Sequence, residues 1–157
     1  MRLVKLIVVV CGLVAIGLAV RSCWFTPAAR AELAVEQAIQ ALEHGDSAAV
    51  LAFVEDDFFD SAGIDAVAFT KLLERKWRGW KDIDIRLLHT KAEMADGEAT
   101  LRADVVVEAT AADTIGLGKT PDRQVGHRDN LELRLRETNG RWRLRGLGGI
   151  SPADWQD

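Results

Sequence analysis

The sequence predicts an α+β fold, three amino-terminal helices packed on a curved, mainly antiparallel sheet of four to six strands. Three observations carry this. Apolar residues recur at helical spacing up to Trp80 and at every second position after it. Gly45-Asp46 separates the first two helical stretches as a Gly C-cap followed by an Asp N-cap. Asp96-Gly97 and Asn139-Gly140 each sit between alternating runs, a strong signal for two-residue hairpins.

At 157 residues the chain holds one ordinary domain and at most one appended segment. Two Cys make no disulfide framework, and the absence of Tyr excludes any mechanism built on a tyrosyl hydroxyl. The net charge of −4 is unevenly spread. Arg2, Lys5 and Arg21 leave 17 of the 20 basic residues for Ser22 onward, against all 24 acids. A domain with a charge of −7 has no generic attraction for nucleic acid. No metal-ligand spacing and no cofactor motif is present, so neither is expected.

Leu6 to Val20 is an unbroken run of 15 uncharged residues, and Leu3 to Val20 is interrupted only by Lys5. Those 18 residues reach roughly 27 Å as a helix, about the hydrocarbon thickness. Arg2 and Lys5 place the start of the run in the cytoplasm. Residues 1–22 are therefore read as a single-pass anchor in the inner (cytoplasmic) membrane or a signal peptide, with the following domain extracytoplasmic. Val20-Arg21-Ser22-Cys23 is similar to a lipobox except at Arg21, which leaves secretion or lipidation through Cys23 as alternatives. Cys11 lies within the apolar run as a small lipid-facing residue.

Residues 23–29 read as a linker, with Pro27 opening a helix over 30–43. The second helix, 47–54, buries Val50, Leu51, Val54 and Phe58. Glu55, Asp56, Asp57 and Asp60 lack the ligand alternation of a calcium loop and are expected at a solvated helix end. A third helix, capped by Asp65, presents Phe69, Leu72, Leu73, Trp77 and Trp80 on one face. Strands follow over 82–94, 98–111, 127–138 and 141–149. The first hairpin pairs position i with 193 − i, which sets Leu88 opposite Val105 and demands a bulge near Leu87-Leu88. The second pairs i with 279 − i, setting Leu135 opposite Leu144 and Leu133 opposite Gly146.

Ala38 to Asp46, Val50 to Val54 and the terminal Gly140 to Leu144 strand, in this order, resemble the nuclear transport factor 2-like fold. This cone-shaped fold is shared with SnoaL-like polyketide cyclases and ketosteroid isomerases. The resemblance covers residues 30–150, with 151–157 as a tail. It implies a conical pocket but no particular chemistry, because the fold hosts enzymes, binding modules and assembly proteins. The tyrosines used by isomerases and dehydratases of this fold have no counterpart here.

Asp129 and His127 share the parity of Leu131, Leu133 and Leu135, which aims them into the cone as the candidate acid–base pair. With Trp77, Trp80 and Trp142, Asp129 would line a ligand pocket. The competing reading makes His127 and Asp129 solvated loop residues. If the bulge forms, His89 faces Asp104 on the outer side. Gly116 to Thr120 looks like a phosphate-binding loop, yet Asp113 and Pro121 break the pattern. Residues 112–126 are then an inter-strand loop at the cone mouth.

The second hairpin register sets Arg134 opposite Arg145 and Arg136 opposite Arg143, with Arg141 beside them. This face is either a solvated ladder relieved by nearby acids or a docking face for an anionic lipid or acidic protein. The sequence thus reads as a membrane-held binding domain for a small ligand or protein, leaning away from catalysis. A small SnoaL-like enzyme (isomerase, cyclase or hydrolase) using Asp129 and His127 is the first alternative. An assembly module of a cell-envelope complex is the second.

Overall fold

The computed structural model describes residues 26–111 and 123–150, which form an α+β fold. The apolar run, linker residues 23–25, residues 112–122 and the tail lie outside the described residues, and residues 27–29, expected in the linker, belong instead to the first helix. Among the described residues no helix is long and apolar enough to cross a membrane.

Helix α1 spans Pro27–Glu43, with Thr26 accepting a hydrogen bond from the Ala29 amide at its start. Helix α2, Ser47–Phe53, is capped by Asp46, whose carboxylate accepts from the Ala49 amide at 3.0 Å. Strand β1, Val54–Asp60, then leads to helix α3, Ala66–Trp77, capped by Asp65. Four further strands follow among the described residues: β2 Trp80–Ala95, β3 Glu98–Ala111, β4 Arg123–Thr138 and β5 Arg141–Gly148. They form one sheet of order β1-β5-β4-β3-β2, antiparallel except for β1, which runs parallel to β5. The helices cover one face, and Ala31, Val35, Phe58, Phe69, Leu101, Leu135 and Leu144 form the core between them.

Several expectations are corrected. Val54 to Asp60 is a strand, not the end of a helix, and Glu55 and Asp60 are buried. The ladder with β5 draws this segment into the sheet, where Glu55 and Asp57 find partners, and Asp60 is satisfied by the amides of the turn that follows. Trp80 opens β2 instead of extending α3, and β4 begins at Arg123, so residues 123–126 belong to the sheet.

The curvature comes from single inserted residues. In β2 the register shifts between Leu88 and Lys91, and again between Lys81 and Asp84. His89 and Asp82 take left-handed backbone conformations there, at φ 54° and 49°. The first bulge is one step beyond the expected place, so Leu87, not Leu88, pairs with Val105. In β4 Asp129 and Asn130 oppose Asp104 alone, with Asn130 at φ 55°. In β5 Arg145 is the extra residue. Each insertion bends its strand and raises local twist, wrapping the sheet around the helices.

The last insertion also revises the second hairpin. Leu135 faces Leu144 and Arg136 faces Arg143 as expected, but Leu133 faces Leu147 and Arg134 faces Gly146. Position 146 is tight: a Cβ there would stand 3.0 Å from both Arg134 Nη2 and the Phe59 carbonyl oxygen, so a larger residue requires its neighbours to give by a few tenths of an ångström. Leu147 thereby reaches the core in place of Gly146.

Candidate functional site

The cone has an inner chamber and a vestibule. The inner chamber, about 200 Å3, lies between α1, α2, α3 and the concave sheet face. Its floor and walls include Ile39, Phe53, Phe69, Leu87, Val105, Leu131 and Leu133, and every one of its lining side chains is apolar. Helical spacing on α1 and alternation on β3 and β4 aim these residues inward. The vestibule, about 520 Å3, is walled by the α1–α2 turn, α3 and the start of β2. Leu42, Val50 and Leu73 belong to both linings, so the two spaces adjoin.

The vestibule sets charged groups on an otherwise apolar wall. Glu43, Asp46, Glu74 and Asp82 supply four carboxylates against Arg78 and Lys81, and Trp80 gives it an aromatic wall. Glu43 is fixed in place by the Ile85 amide, which donates to its Oε1 at 2.8 Å and ties α1 to β2. His44 Nδ1 donates to the Gln40 carbonyl at 2.6 Å. That bond assigns a proton to Nδ1 and leaves Nε2 for other contacts. In the sequence His44-Gly45-Asp46 carries only the signal of a helix break. Its place at the mouth of a chamber depends on how α3 and β2 fold across it.

The expected pocket is not assembled. Trp80 lines the vestibule, whereas Trp142 is buried under α1 and α2 and borders a different groove. The side chain of Trp77 lies outside the described residues. His127 Nε2 and Asp129 Oδ1 do meet, at 3.1 Å, but the two side chains are 55% and 68% exposed. Neither lines the inner chamber. The bulge at Asp129-Asn130 explains this, since it cancels the parity extrapolated from Leu131 and pairs His127 with Val106. Arg128 takes the position beside Val105, and its Nε donates to the Gly149 carbonyl at 3.0 Å.

The arginine-bearing outer face is largely compensated. Arg136 bridges Glu55 and Asp57, Arg145 pairs with Glu98 and approaches Asp57, and Arg134 lies 4.0 Å from Glu132. The Arg134–Arg145 opposition is removed by the β5 bulge. Partial burial opposes ionisation of Asp57, yet hydrogen bonds from Arg136 hold its carboxyl below the ordinary range. Arg141 and Arg143 have no carboxylate at ion-pair distance among the described residues. His89 Nδ1 lies 2.9 Å from Asp104 Oδ2 on the exposed face, as the bulge requires. Among the described residues no cluster of three metal-ligating side chains occurs.

In sequence the chain matches no family model and no curated protein. In structure it is similar to a scytalone dehydratase-type protein of Novosphingobium aromaticivorans, with a TM-score of 0.62 at 14% identity over 76% of this chain and 79% of that one. The ActVI-ORFA protein of Streptomyces coelicolor superposes with a TM-score of 0.57 at 21% identity, over 76% and 93% of the two chains. A Nostoc punctiforme protein of unknown function with a cystatin-like fold gives 0.55 at 13% identity, over 76% and 86%. At these identities the likeness is one of fold.

Proposed function

We propose that this domain, which has the nuclear transport factor 2-like fold, is a non-catalytic binding module held outside the cytoplasm by the apolar run before it. One observation carries the reading: an inner chamber lined, among the described residues, by apolar side chains alone adjoins a charged vestibule. The complementary ligand is a small amphiphile, apolar body inward and polar end at the vestibule. Four carboxylates against two cations favour a neutral or cationic polar end. General acid–base chemistry requires a titratable group within roughly 3 Å of the reacting atom. Among the described residues the chamber lining offers none, and His127 and Asp129 lie in solvent, so the titratable groups near such a ligand are those of the vestibule, at its polar end, and none faces its apolar body. The tether reading rests on the 15-residue uncharged run behind Arg2 and Lys5.

The test is displacement of a neutral apolar dye, N-phenylnaphthylamine, from a fragment beginning at Pro27. Octyltrimethylammonium and octanol should displace it more effectively than octanoate. Val105→Trp, which fills the chamber, should abolish dye uptake while the fragment stays folded. Absence of uptake by the unmodified fragment, or equal uptake by the filled variant, would overturn the reading. Topology is checked separately, by a periplasmic reporter fused after Asp157, which should be active.

A further inference from the structure

A second groove of about 450 Å3 runs outside the cone, between α1, α2 and the start of β5. Leu33, Ala34, Ala38 and Ala52 give it an apolar floor, and Arg141, Trp142 and Arg143 close one end. Two donors in that wall are orphaned. Trp142 is only 7% exposed and its Nε1 has no acceptor, and the buried Nε of Arg143 has none either. Buried donors are ordinarily satisfied, and the Arg143 donor, two residues from Arg141 and so on the same side of β5, marks a place where an acceptor belongs. Elsewhere on the hairpin the guanidinium groups are committed: Arg136 to Glu55 and Asp57, Arg145 to Glu98. Arg30, also in the groove, is held by Glu137 at 3.0 Å. Arg141 and Arg143 alone in this wall lack an anion among the described residues.

The groove's position says where such an anion would come from. Helix α1 begins at Pro27, seven residues after the apolar run ends at Val20. Seven residues reach at most about 25 Å. A domain tethered through that run therefore keeps the groove within reach of the membrane surface. We propose that the groove docks the phosphate headgroup of an anionic membrane lipid. Arg141 and Arg143 take the phosphate as charge-assisted donors, and Leu33 and the alanines receive the adjoining acyl region. The claim uses the tether reading only for the source of the lipid and is independent of the cone's ligand.

The test uses the full chain in neutral detergent and native mass spectrometry with phosphatidylglycerol or phosphatidylcholine added. The wild type should retain phosphatidylglycerol roughly tenfold better. The Arg141→Gln/Arg143→Gln variant should lose that preference, and Arg141→Gln, at an exposed position, should weaken it with the fold intact by circular dichroism. Arg86→Gln/Arg123→Gln removes the same charge elsewhere and should keep it. Equal retention of the two lipids, or a preference surviving the Arg141/Arg143 substitutions, would overturn the proposal. So would complete displacement of lipid by millimolar inorganic phosphate, which would make this a free-phosphate site. A cytoplasmic result from the topology reporter would defeat the tether reading while leaving retention in detergent to stand or fall alone.

Discussion

Arg136 and Glu55 belong to strands separated by β5, yet Arg136 Nη2 lies 2.6 Å from Glu55 Oε2 and Arg136 Nε lies 3.4 Å from Oε1. Glu55 is 4% exposed and also accepts from the Thr138 hydroxyl. Arg136 Nη2 reaches on to Asp57 Oδ2 at 3.0 Å. The hydrogen bond to Glu55, followed by that to Asp57, raises the arginine's hold on its proton. The ladder between β1 and β5 is interrupted between Val54 and Phe59, and this bridge spans the interruption across the outer face. Edge strand β1 is thus pinned by charge where backbone pairing lapses.

Arg136→Gln is therefore expected to destabilise the domain, leaving a buried carboxylate without its counter-charge. The sequence alone points the other way, since relieving the Arg136–Arg143 opposition would raise stability. Urea unfolding should show a larger fall in midpoint for Arg136→Gln than for Arg134→Gln. Glu55→Gln/Arg136→Gln should recover part of the loss in a double-mutant cycle.

How far the fold was legible depended on whether a local signal fixed each feature. Asp96-Gly97 and Asn139-Gly140 carry turn chemistry in their own side chains and backbones, so both hairpins and their first rungs were readable. The Asp46 and Asp65 caps were readable for the same reason. Strand β1 was not, because its buried Glu55 is tolerable only through partners more than 70 residues away, Arg136 and Thr138. The bulges moved by single residues, and one step inverts every later side chain. That is why Asp129 read as inward and stands in solvent. The chamber's apolar lining followed from periodicity, whereas the vestibule arises from tertiary closure across the α1–α2 turn.

The Asp104 carboxylate should make stability pH-dependent. The Asn130 amide donates to its Oδ1 at 3.0 Å and His89 approaches Oδ2, and in that order they hold its pKa below the ordinary 3.8. A depressed folded-state pKa contributes stability that is present above the unfolded value and lost as pH falls through the folded one. Acid unfolding of Asp104→Asn should accordingly be shallower below about pH 4 than that of the wild type. Carboxyl NMR should place the Asp104 midpoint below 3.8, and a midpoint above it would contradict the bonding described.

Asp60 organises the β1–α3 turn. It is fully buried, and its Oδ1 accepts from the Ala62 amide at 2.9 Å and the Ile64 amide at 2.7 Å. Asp60→Ala would strand both donors, at about 1–3 kcal/mol for each group left unsatisfied. Asp60→Asn keeps the acceptor oxygen and should cost clearly less. Thermal unfolding of the two variants gives the comparison, and equal losses would mean that charge, not acceptance, is what the turn requires.

The position of the β2 bulge yields the sharpest packing test. An uninterrupted hairpin register sets Leu88 against Val105 and turns it inward. The bulge between Leu88 and Lys91 instead pairs Leu87 with Val105 and Leu88 with Asp104. Leu87 lines the inner chamber, while Leu88 is 41% exposed on the outer face. Leu87→Ala should cost on the order of 2 kcal/mol, the low end for leucine truncation because the neighbouring chamber is already open. Leu88→Ala should stay within about 0.5 kcal/mol of the wild type, as surface changes do. His89 fixes the slip through its left-handed backbone at φ 54°, a conformation histidine tolerates and β-branched residues resist. His89→Val should therefore destabilise the domain although its side chain is 80% exposed, and by more than His89→Gly, which tolerates the backbone conformation and loses only the contact with Asp104. Urea midpoints for the four variants check the set. A larger loss at Leu88 than at Leu87 would return the bulge to the other side of the pair.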